Sequence, residues 1–353
     1  MFSILQQWYH RHFTDPQTVI FAFILIFGIS LVFLLNAHLM PILVAIILAY
    51  LFEGLVVWML KAGVNRTTAA SVVTALMLTV IVVVFFFLLP LMSKQITELF
   101  REMPNMLSRG HNLLAALPER YPDYVSAEQI EELLMLARTE LTNLGQRVVS
   151  LSLSSVVGII TFLVYMILLP LMVFFFLKDK HLIINWAADF LPDERRLLHK
   201  VWEELDVKIA SYIRGKVIEV LIIWSASYVA FTIMGLNYAM LLSFAVGLSV
   251  IIPYVGATVV TIPVALIAFF QWGFSSQFAW LMGIYGIIQF LDGNLLVPLL
   301  FSEVVNLHPV AIIVAVVFFG SLWGIWGVFF AIPLATLIQA IIKAWPTEEL
   351  AAE

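Results

Sequence analysis

Apolar runs about as long as a membrane-spanning helix recur along the chain, separated by shorter polar segments. The hydrocarbon core of a bilayer is about 30 Å thick and needs about 20 apolar residues in a helix. The pattern therefore predicts an all-α fold, a polytopic helical membrane protein with about eight transmembrane helices. The first five spans are expected at 19–35, 39–59, 67–92, 151–177 and 217–234.

Two apolar segments near the C-terminus, 238–270 and 308–343, are too long for one simple span at about 1.5 Å per helical residue. Pro253 and Gly256 interrupt the first, and three glycines interrupt the second. We expect broken or re-entrant helices, and the sequence leaves open whether they are kinked spans or re-entrant hairpins. A pair of interrupted segments points to a transport site, whereas glycines alone also serve close helix packing.

Two polar segments divide the apolar pattern. Segment 93–150 holds six basic and eight acidic residues, and apolar residues at helical spacing predict a small helical extramembrane insertion. Segment 178–216 is charged and is expected to be helical, running into the fifth span. The expected regions are an N-terminal membrane region (1–92), the insertion (93–150), span four (151–177), a cytoplasmic charged segment (178–216) and a C-terminal membrane region (217–353).

Composition and charge agree with this class. The chain is 63% hydrophobic and 12% charged, against about 45–50% apolar and about 25% charged in globular domains. It has no cysteine, which excludes thiol catalysis and cysteine-ligated metal sites.

The distribution of Lys and Arg predicts the orientation in the membrane. The basic loops are the N-terminal tail, 61–66, 178–216 and Lys343. The short loops expected on the opposite side, 36–38, 235–237 and 302–307, have no Lys or Arg. The positive-inside rule then puts both termini in the cytoplasm and the insertion outside.

Asp292 is the main candidate for a functional residue. From Val217 to Ile342 there is no Lys or Arg, and the acids are Glu219, Asp292 and Glu303. A carboxylate at the bilayer centre costs about 2.5–3.5 kcal/mol on insertion scales and marks a functional site by default. The expected substrate or ion path comprises Asp292, Asn294, Gln289, Pro253, Tyr254, Gly256 and Pro298.

An alternative is that Asp292 caps a helix break near the membrane surface, created by Gly293 and Pro298. Weaker candidates are Glu53, Glu219, Glu303 and His308. For Glu53 and Glu219, snorkelling to the interface is at least as good an explanation. His308 precedes Pro309 at a span start, where a capping role is favoured over proton transfer. No catalytic residue, metal site or cofactor is expected.

Four C-terminal motifs resemble the autoinducer-2 exporter-like family of bacterial permeases, and the full-length pattern is most similar to its PerM-like branch. The motifs are Ile252-Pro-Tyr-Val-Gly256, Leu291-Asp-Gly-Asn294 with Pro298, Leu307-His-Pro309, and Gly324-Ile-Trp-Gly-Val-Phe-Phe-Ala-Ile-Pro333. The resemblance covers essentially the whole chain, including the insertion. It implies a bacterial inner-membrane protein that exports small solutes or exchanges sodium for protons, and it implies homo-oligomerisation.

Three function classes remain. The first is a secondary transporter exporting a small solute, ion-gradient coupled or passive, with sodium/proton antiport as its alternative. Its partners would be the lipid bilayer and a small solute or a monovalent cation or proton, with no nucleic acid. The second is an intramembrane enzyme, which the absence of H-E-x-x-H and G-x-S-x-G motifs disfavours. The third is a non-transporting scaffold, in which the Asp292 cluster is structural.

Overall fold

The computed structural model describes residues 36–115, 155–190, 196–253, 255–301 and 307–344, and residues 128, 132, 135 and 139 in addition. These parts contain helices and no strand, which confirms the all-α class. Six helical segments are long and apolar enough to cross a membrane: Pro41–Lys61, Arg66–Met106, Val201–Ile233, Val255–Trp272, Ser276–Phe301 and Pro309–Lys343. The predicted span at 19–35 and most of the insertion lie outside the described residues, so the count of about eight stays a prediction.

The N-terminal region packs three helices together: α1 (Asn36–Lys61), α2 (Arg66–Val83) and, after the insertion, α4 (Ser155–Lys178). Their shared core contains three alanines that let the helices approach closely, together with larger apolar side chains. Its buried residues are Ala45, Val56, Ala69, Ala70, Val73, Met77, Val173 and Leu177. The turn expected at 36–38 is wrong, because α1 already begins at Asn36.

Helix α2 does not end at Pro90, where the sequence placed the end of the third span. A π-helical turn (Val84–Leu88) follows it and leads directly into α3 (Leu89–Ala115). A proline ring clashes with the carbonyl four residues earlier in an α-helix. The wider π turn immediately before Pro90 relieves that clash. The rod is therefore continuous over about 50 residues, about 75 Å at the α-helical rise, and the boundary predicted at residue 92 falls inside it.

The longest helix, α6 (Arg196–Ile233), follows the short helix α5 (Lys180–Ala188) and lies at the centre of the C-terminal half. It begins in the charged segment and runs without interruption into the fifth span, as the sequence predicts. It packs against α1 and against most of the C-terminal elements described next.

The first interrupted segment is a helical hairpin. Helix α7 (Ala239–Ser249) and helix α8 (Val255–Trp272) run antiparallel, joined by a turn that begins at Val250. At the open end the Gln271 side chain accepts a hydrogen bond from the Asn237 amide (2.8 Å) and donates one to Gly235 O (2.8 Å). At the closed end Gly256 touches the backbone of Ser249 so closely that a methyl group there would overlap Ser249 O.

The second interrupted segment, α11 (Pro309–Ala344), also folds back on itself. Gly324 has φ 59° and ψ −137°, a conformation that glycine adopts without strain. A methyl group at Gly327 would overlap Phe319 O, and one at Gly320 would lie 2.9 Å from Val328 Cγ2. Residues eight apart touch in this way only when the chain reverses. Both segments are thus hairpins rather than kinked rods, an alternative that the sequence left open.

The two hairpins meet α6 at opposite ends. The first hairpin has its open end at Gly235, directly after α6 ends at Ile233. The second hairpin packs its C-terminal arm, through Ala340, against Val201 and Leu205 near the start of α6. The hairpins therefore approach the middle of α6 from its two ends.

Between the hairpins lies a rod formed by α9 (Ser276–Leu291), a second π turn (Asp292–Leu296) and α10 (Val297–Phe301). The alternative in which Gly293 and Pro298 break the helix is therefore wrong. This π turn ends two residues before Pro298, which is the spacing seen at Pro90. We explain both π turns in the same way, because the wider turn relieves the clash of the proline ring with the preceding helix.

We predict that Gly256→Ala destabilises the protein. The added methyl group would overlap the Ser249 carbonyl, and separating α7 from α8 should cost about 1–3 kcal/mol. Gly286→Ala in α9 is the matched control, because nothing lies within 4 Å of a methyl group there. Thermal unfolding in detergent measures both. Equal melting temperatures of Gly256→Ala and Gly286→Ala would show that the closed end of the first hairpin is not tightly packed.

A partly buried ion pair joins α1 to α2. Arg66 Nη2 lies 2.9 Å from Glu53 Oε1, and Lys180 Nζ lies 3.8 Å from the same oxygen. Arg66 Nε also donates to the C-terminal carbonyls of α4, Leu177 O (2.8 Å) and Lys178 O (3.2 Å). Arg66 therefore fastens three helices at one end of the N-terminal bundle.

We predict that Glu53→Gln lowers the free energy of unfolding by about 1–2 kcal/mol, since it removes a charge-assisted hydrogen bond that is mostly shielded from solvent. Glu98→Gln is the control, because its pair with Lys94 spans 3.9 Å between largely exposed side chains and is worth about 0–1 kcal/mol. Chemical or thermal unfolding measures the difference. Wild-type stability of Glu53→Gln would contradict this structural assignment.

Candidate functional site

A cavity of about 370 Å³ lies where the middle of α6 meets both hairpins and the second π turn. Its wall combines residues from all of these elements: Tyr212, Lys216, Glu219, Val250, Ile252, Pro253, Ala257, Gln289, Asp292, Gly293, Val297, Phe301, Ile312 and Ile332. Pro253, Gln289 and Asp292, which the sequence placed on the expected path, thus lie around one cavity. Glu219, a weaker candidate, joins them.

The cavity wall holds three buried charged residues. Lys216, Glu219 and Asp292 are 5%, 2% and 8% exposed, and they are the buried charged residues in the described part of the chain. Burying an ion costs several kcal/mol unless it is paired and hydrogen-bonded. Three such residues around one cavity form an electrostatic centre that packing alone does not require.

Lys216 connects α6 to two neighbouring elements. Its Nζ lies 2.6 Å from Glu219 Oε2, three residues further along the same helix. It also donates a 2.9 Å hydrogen bond to Val250 O at the C-terminal end of α7. The ammonium lies 5.1 Å from the centre of the Phe301 ring, within the range of a cation–π contact. The helix dipole of α7 adds negative potential at this end.

Asp292 has a different environment. It begins the second π turn, and its Oδ1 is buried without a hydrogen-bond partner among the described residues. Gln289 Nε2 is buried without a partner in the same part of the structure. Buried polar atoms are almost always hydrogen-bonded, so an exception calls for an explanation. Two such atoms in one cavity wall mark a place where a ligand or a proton can be held.

The remaining sequence candidates lie elsewhere. Asn294 is exposed, and its Nδ2 donates to Phe290 O (2.9 Å) in the preceding turn. Pro298 is exposed, and Gly256 serves the close contact inside the first hairpin. His308 is exposed, and its Nδ1 accepts a hydrogen bond from the Val310 amide (3.2 Å) at the start of α11.

Three further candidates need separate mention. Glu53 pairs with Arg66 and is not part of the cavity wall. Tyr254 and Glu303 lie outside the described residues. Glu219 does not snorkel to an interface, because it is buried against Lys216.

Sequence reasoning missed Lys216 and Tyr212. Both were assigned to the charged segment 178–216, which ends one residue before the apolar run begins. The spacing of Lys216 and Glu219, three residues apart on one helical face, was the available signal. Tyr212 donates a hydrogen bond to Phe329 O (3.2 Å) and so ties α6 to the second hairpin.

A larger cavity of about 550 Å³ lies between α3 and the open end of the first hairpin. Gln95 reaches across it and accepts a hydrogen bond from the Leu241 amide (2.9 Å) at the start of α7. Its acidic and basic side chains, such as Glu102 and Arg109, are substantially exposed. The cavity at Lys216 is the stronger candidate, because its charges are buried and two of its polar atoms lack partners.

The chemistry of the smaller cavity suits a proton or a monovalent cation together with a small solute. Besides the Lys216 ammonium and the Tyr212 hydroxyl, it offers carboxylate oxygens, one amide group and the Val250 carbonyl within an otherwise apolar wall. The described residues contain no group of three His, Cys, Asp or Glu side chains that could hold a metal ion.

Comparisons with known proteins agree with a membrane transporter. Residues 20–347 match the family described as AI-2E family transporter. The chain is 47% identical over 353 residues to the protein named putative permease PerM of Escherichia coli K12, covering 100% of both chains. It is 30% identical over 346 residues to putative transport protein YueF of Bacillus subtilis, covering 93% of this chain and 92% of that one.

A second Bacillus subtilis protein, putative transport protein YrrI, is 24% identical over 303 residues, covering 86% of this chain and 85% of the relative. The names of these relatives specify transport without a substrate. The family match spans nearly the whole chain, including both hairpins and the cavity between them. The resemblance inferred from the four C-terminal motifs is confirmed, and this multi-pass membrane protein belongs to the AI-2E transporter family.

Proposed function

We propose that the protein is a secondary transporter that exports a small solute through the cavity between the two hairpins, with Asp292 as the group that binds the coupling proton or cation. The observation that carries this proposal is the buried Asp292 Oδ1, which has no hydrogen-bond partner among the described residues. An ionised carboxylate in that position is costly until a proton or a cation neutralises it. Its loading state can therefore be coupled to the conformation of the elements around it.

The position of the cavity supports this assignment. Residues of the first hairpin (Val250, Pro253) and of both arms of the second hairpin (Ile312, Ile332) form its wall around α6. The hairpins approach from opposite ends of α6, so movement of either one would open the cavity toward a different side. Transporters commonly bind their substrates beside broken helices near the middle of the membrane.

Sodium/proton antiport is the second candidate. It is favoured by the small number of polar groups in the cavity, which suffice for a cation but give few hydrogen bonds to a polar solute. In both versions membership of a transporter family favours transport over an enzymatic reaction. A scaffold without transport activity would make the unpartnered Asp292 a cost without a benefit.

The membrane context of this proposal follows from the sequence. We place the protein in the bacterial inner membrane with both termini cytoplasmic, because the basic residues cluster in the loops that this orientation puts inside. The export direction and a homo-oligomeric state rest on the family resemblance alone and stay predictions.

We predict that Asp292→Asn abolishes ion-coupled transport while the protein still folds, because the amide keeps the shape of the side chain but cannot bind a proton or neutralise a cation. The assay uses proteoliposomes containing an interior pH dye, with an imposed sodium gradient. Asp189→Asn, which removes an exposed carboxylate at the end of α5, is the matched control and should behave like the wild type.

Sodium-driven proton movement in the wild type that is lost in Asp292→Asn would support antiport through this cavity. Wild-type protein without proton movement would remove antiport and leave solute export to be tested with a substrate screen. Full activity of Asp292→Asn in either assay would contradict the role proposed for Asp292.

A further inference from the structure

We propose that the Lys216 ammonium occupies the cavity's own site for a monovalent cation, and that a transported or coupling cation such as Na⁺ binds there by displacing it. Lys216 would then be a tethered competitor, built into the chain. This inference rests on the proposed function and refines it: the coupling cation binds at Glu219 and Val250, and Asp292 is neutralised by the displaced ammonium.

The contacts of the ammonium are those of a cation site. Lys216 Nζ lies 2.6 Å from a carboxylate oxygen of Glu219 and 2.9 Å from the carbonyl oxygen of Val250. Carboxylate and carbonyl oxygens are also the ligands that hard cations take in proteins. Carbonyls at the C-terminal ends of broken helices coordinate Na⁺ in transporters. Val250 is in this position, since it directly follows α7.

The balance of charges supports exchange at this site. With all three groups ionised, Lys216 (+1), Glu219 (−1) and Asp292 (−1) leave one negative charge around the cavity. One monovalent cation or one proton neutralises it. The ammonium pairs with Glu219, and Asp292 Oδ1 has no hydrogen-bond partner in the described part of the chain. A cation arriving at Glu219 and Val250 would release the ammonium, and Asp292 is the carboxylate in the same cavity that can receive it.

Among the residues that the structure describes, no other charged side chain lines this cavity. The second hairpin contributes the apolar Ile312 and Ile332, and α9 contributes the neutral Gln289. Tyr212 on α6 is the remaining titratable group in the wall, and its hydroxyl is engaged by Phe329 O. The exchange therefore involves one ammonium and two carboxylates.

The test compares sodium binding in four purified proteins in detergent. Wild type, Asp292→Asn, Lys216→Met and the double variant Lys216→Met/Asp292→Asn are titrated with NaCl at constant ionic strength, with choline chloride as the replacement salt. Binding is read from the thermal unfolding temperature, since a ligand of the native state stabilises it by mass action. Lys61→Met, which removes an exposed lysine, is the control for lysine loss.

In Lys216→Met we expect half-saturation at a sodium concentration at least about tenfold below that of the wild type, because removing a nearby positive charge strengthens cation binding. Asp292→Asn should lose its sodium response, since Lys216 and Glu219 then neutralise each other. The double variant should regain the response, because Glu219 and Val250 remain without the competitor. Lys61→Met should match the wild type.

Lys216→Met alone leaves two negative charges around the cavity and could fail to fold for that reason. The double variant keeps the wild-type net charge of one, so the inference can still be tested with it. A double variant that folds and shows no sodium response would overturn the inference. A sodium affinity of Lys216→Met equal to that of the wild type would also overturn the inference. Retained transport by Asp292→Asn would instead reject the proposed function, and the binding comparison between single and double variants would still decide the role of Lys216.

Discussion

The C-terminal half is organised around the buried ion pair between Lys216 and Glu219 and its hydrogen bond to Val250 O. These two charges lie on one face of the longest helix, and burying them is stable only because the ammonium finds two oxygens and an aromatic face. The carbonyl of Val250 is available to it because α7 stops there. The interruption of the first hairpin and Lys216 of α6 therefore depend on each other. The ammonium satisfies the carbonyl that the end of α7 leaves free, and this carbonyl satisfies part of the buried ammonium.

Proline and glycine act in two distinct ways in this fold. Pro90 and Pro298 each follow a π turn that ends two residues earlier, and the helix continues through them. Gly256 and Gly327 instead allow two backbones to touch, and Gly324 reverses the chain. The π turn before Pro298 also places Asp292 at its first residue, with the carboxylate in the cavity wall. A helix defect that accommodates a proline thus also positions the candidate site.

The arrangement of hairpins and charges fits a transporter better than a passive scaffold. Both hairpins contribute to one cavity at the middle of α6. Two of its buried polar atoms have no hydrogen-bond partner among the residues that the structure describes. Such a site is sensitive to the arrival of one proton or cation, because little else in its wall offsets charge. Because the Val250 carbonyl of the first hairpin accepts a hydrogen bond from Lys216 of α6, a movement of that hairpin would change this contact in the cavity wall.

The sequence by itself determined the all-α membrane class, the interrupted C-terminal segments and the family, because hydropathy and motif order are local properties of the chain. It also singled out Asp292 as a candidate site residue. It also predicted that Gln289 and Pro253 accompany Asp292. The tertiary structure alone decided that the interrupted segments are hairpins, since a glycine at a kink and a glycine at a reversal look alike in sequence. It alone brought Lys216 to the cavity and turned Asn294 away, because which face of a helix is buried depends on the neighbours that pack against it.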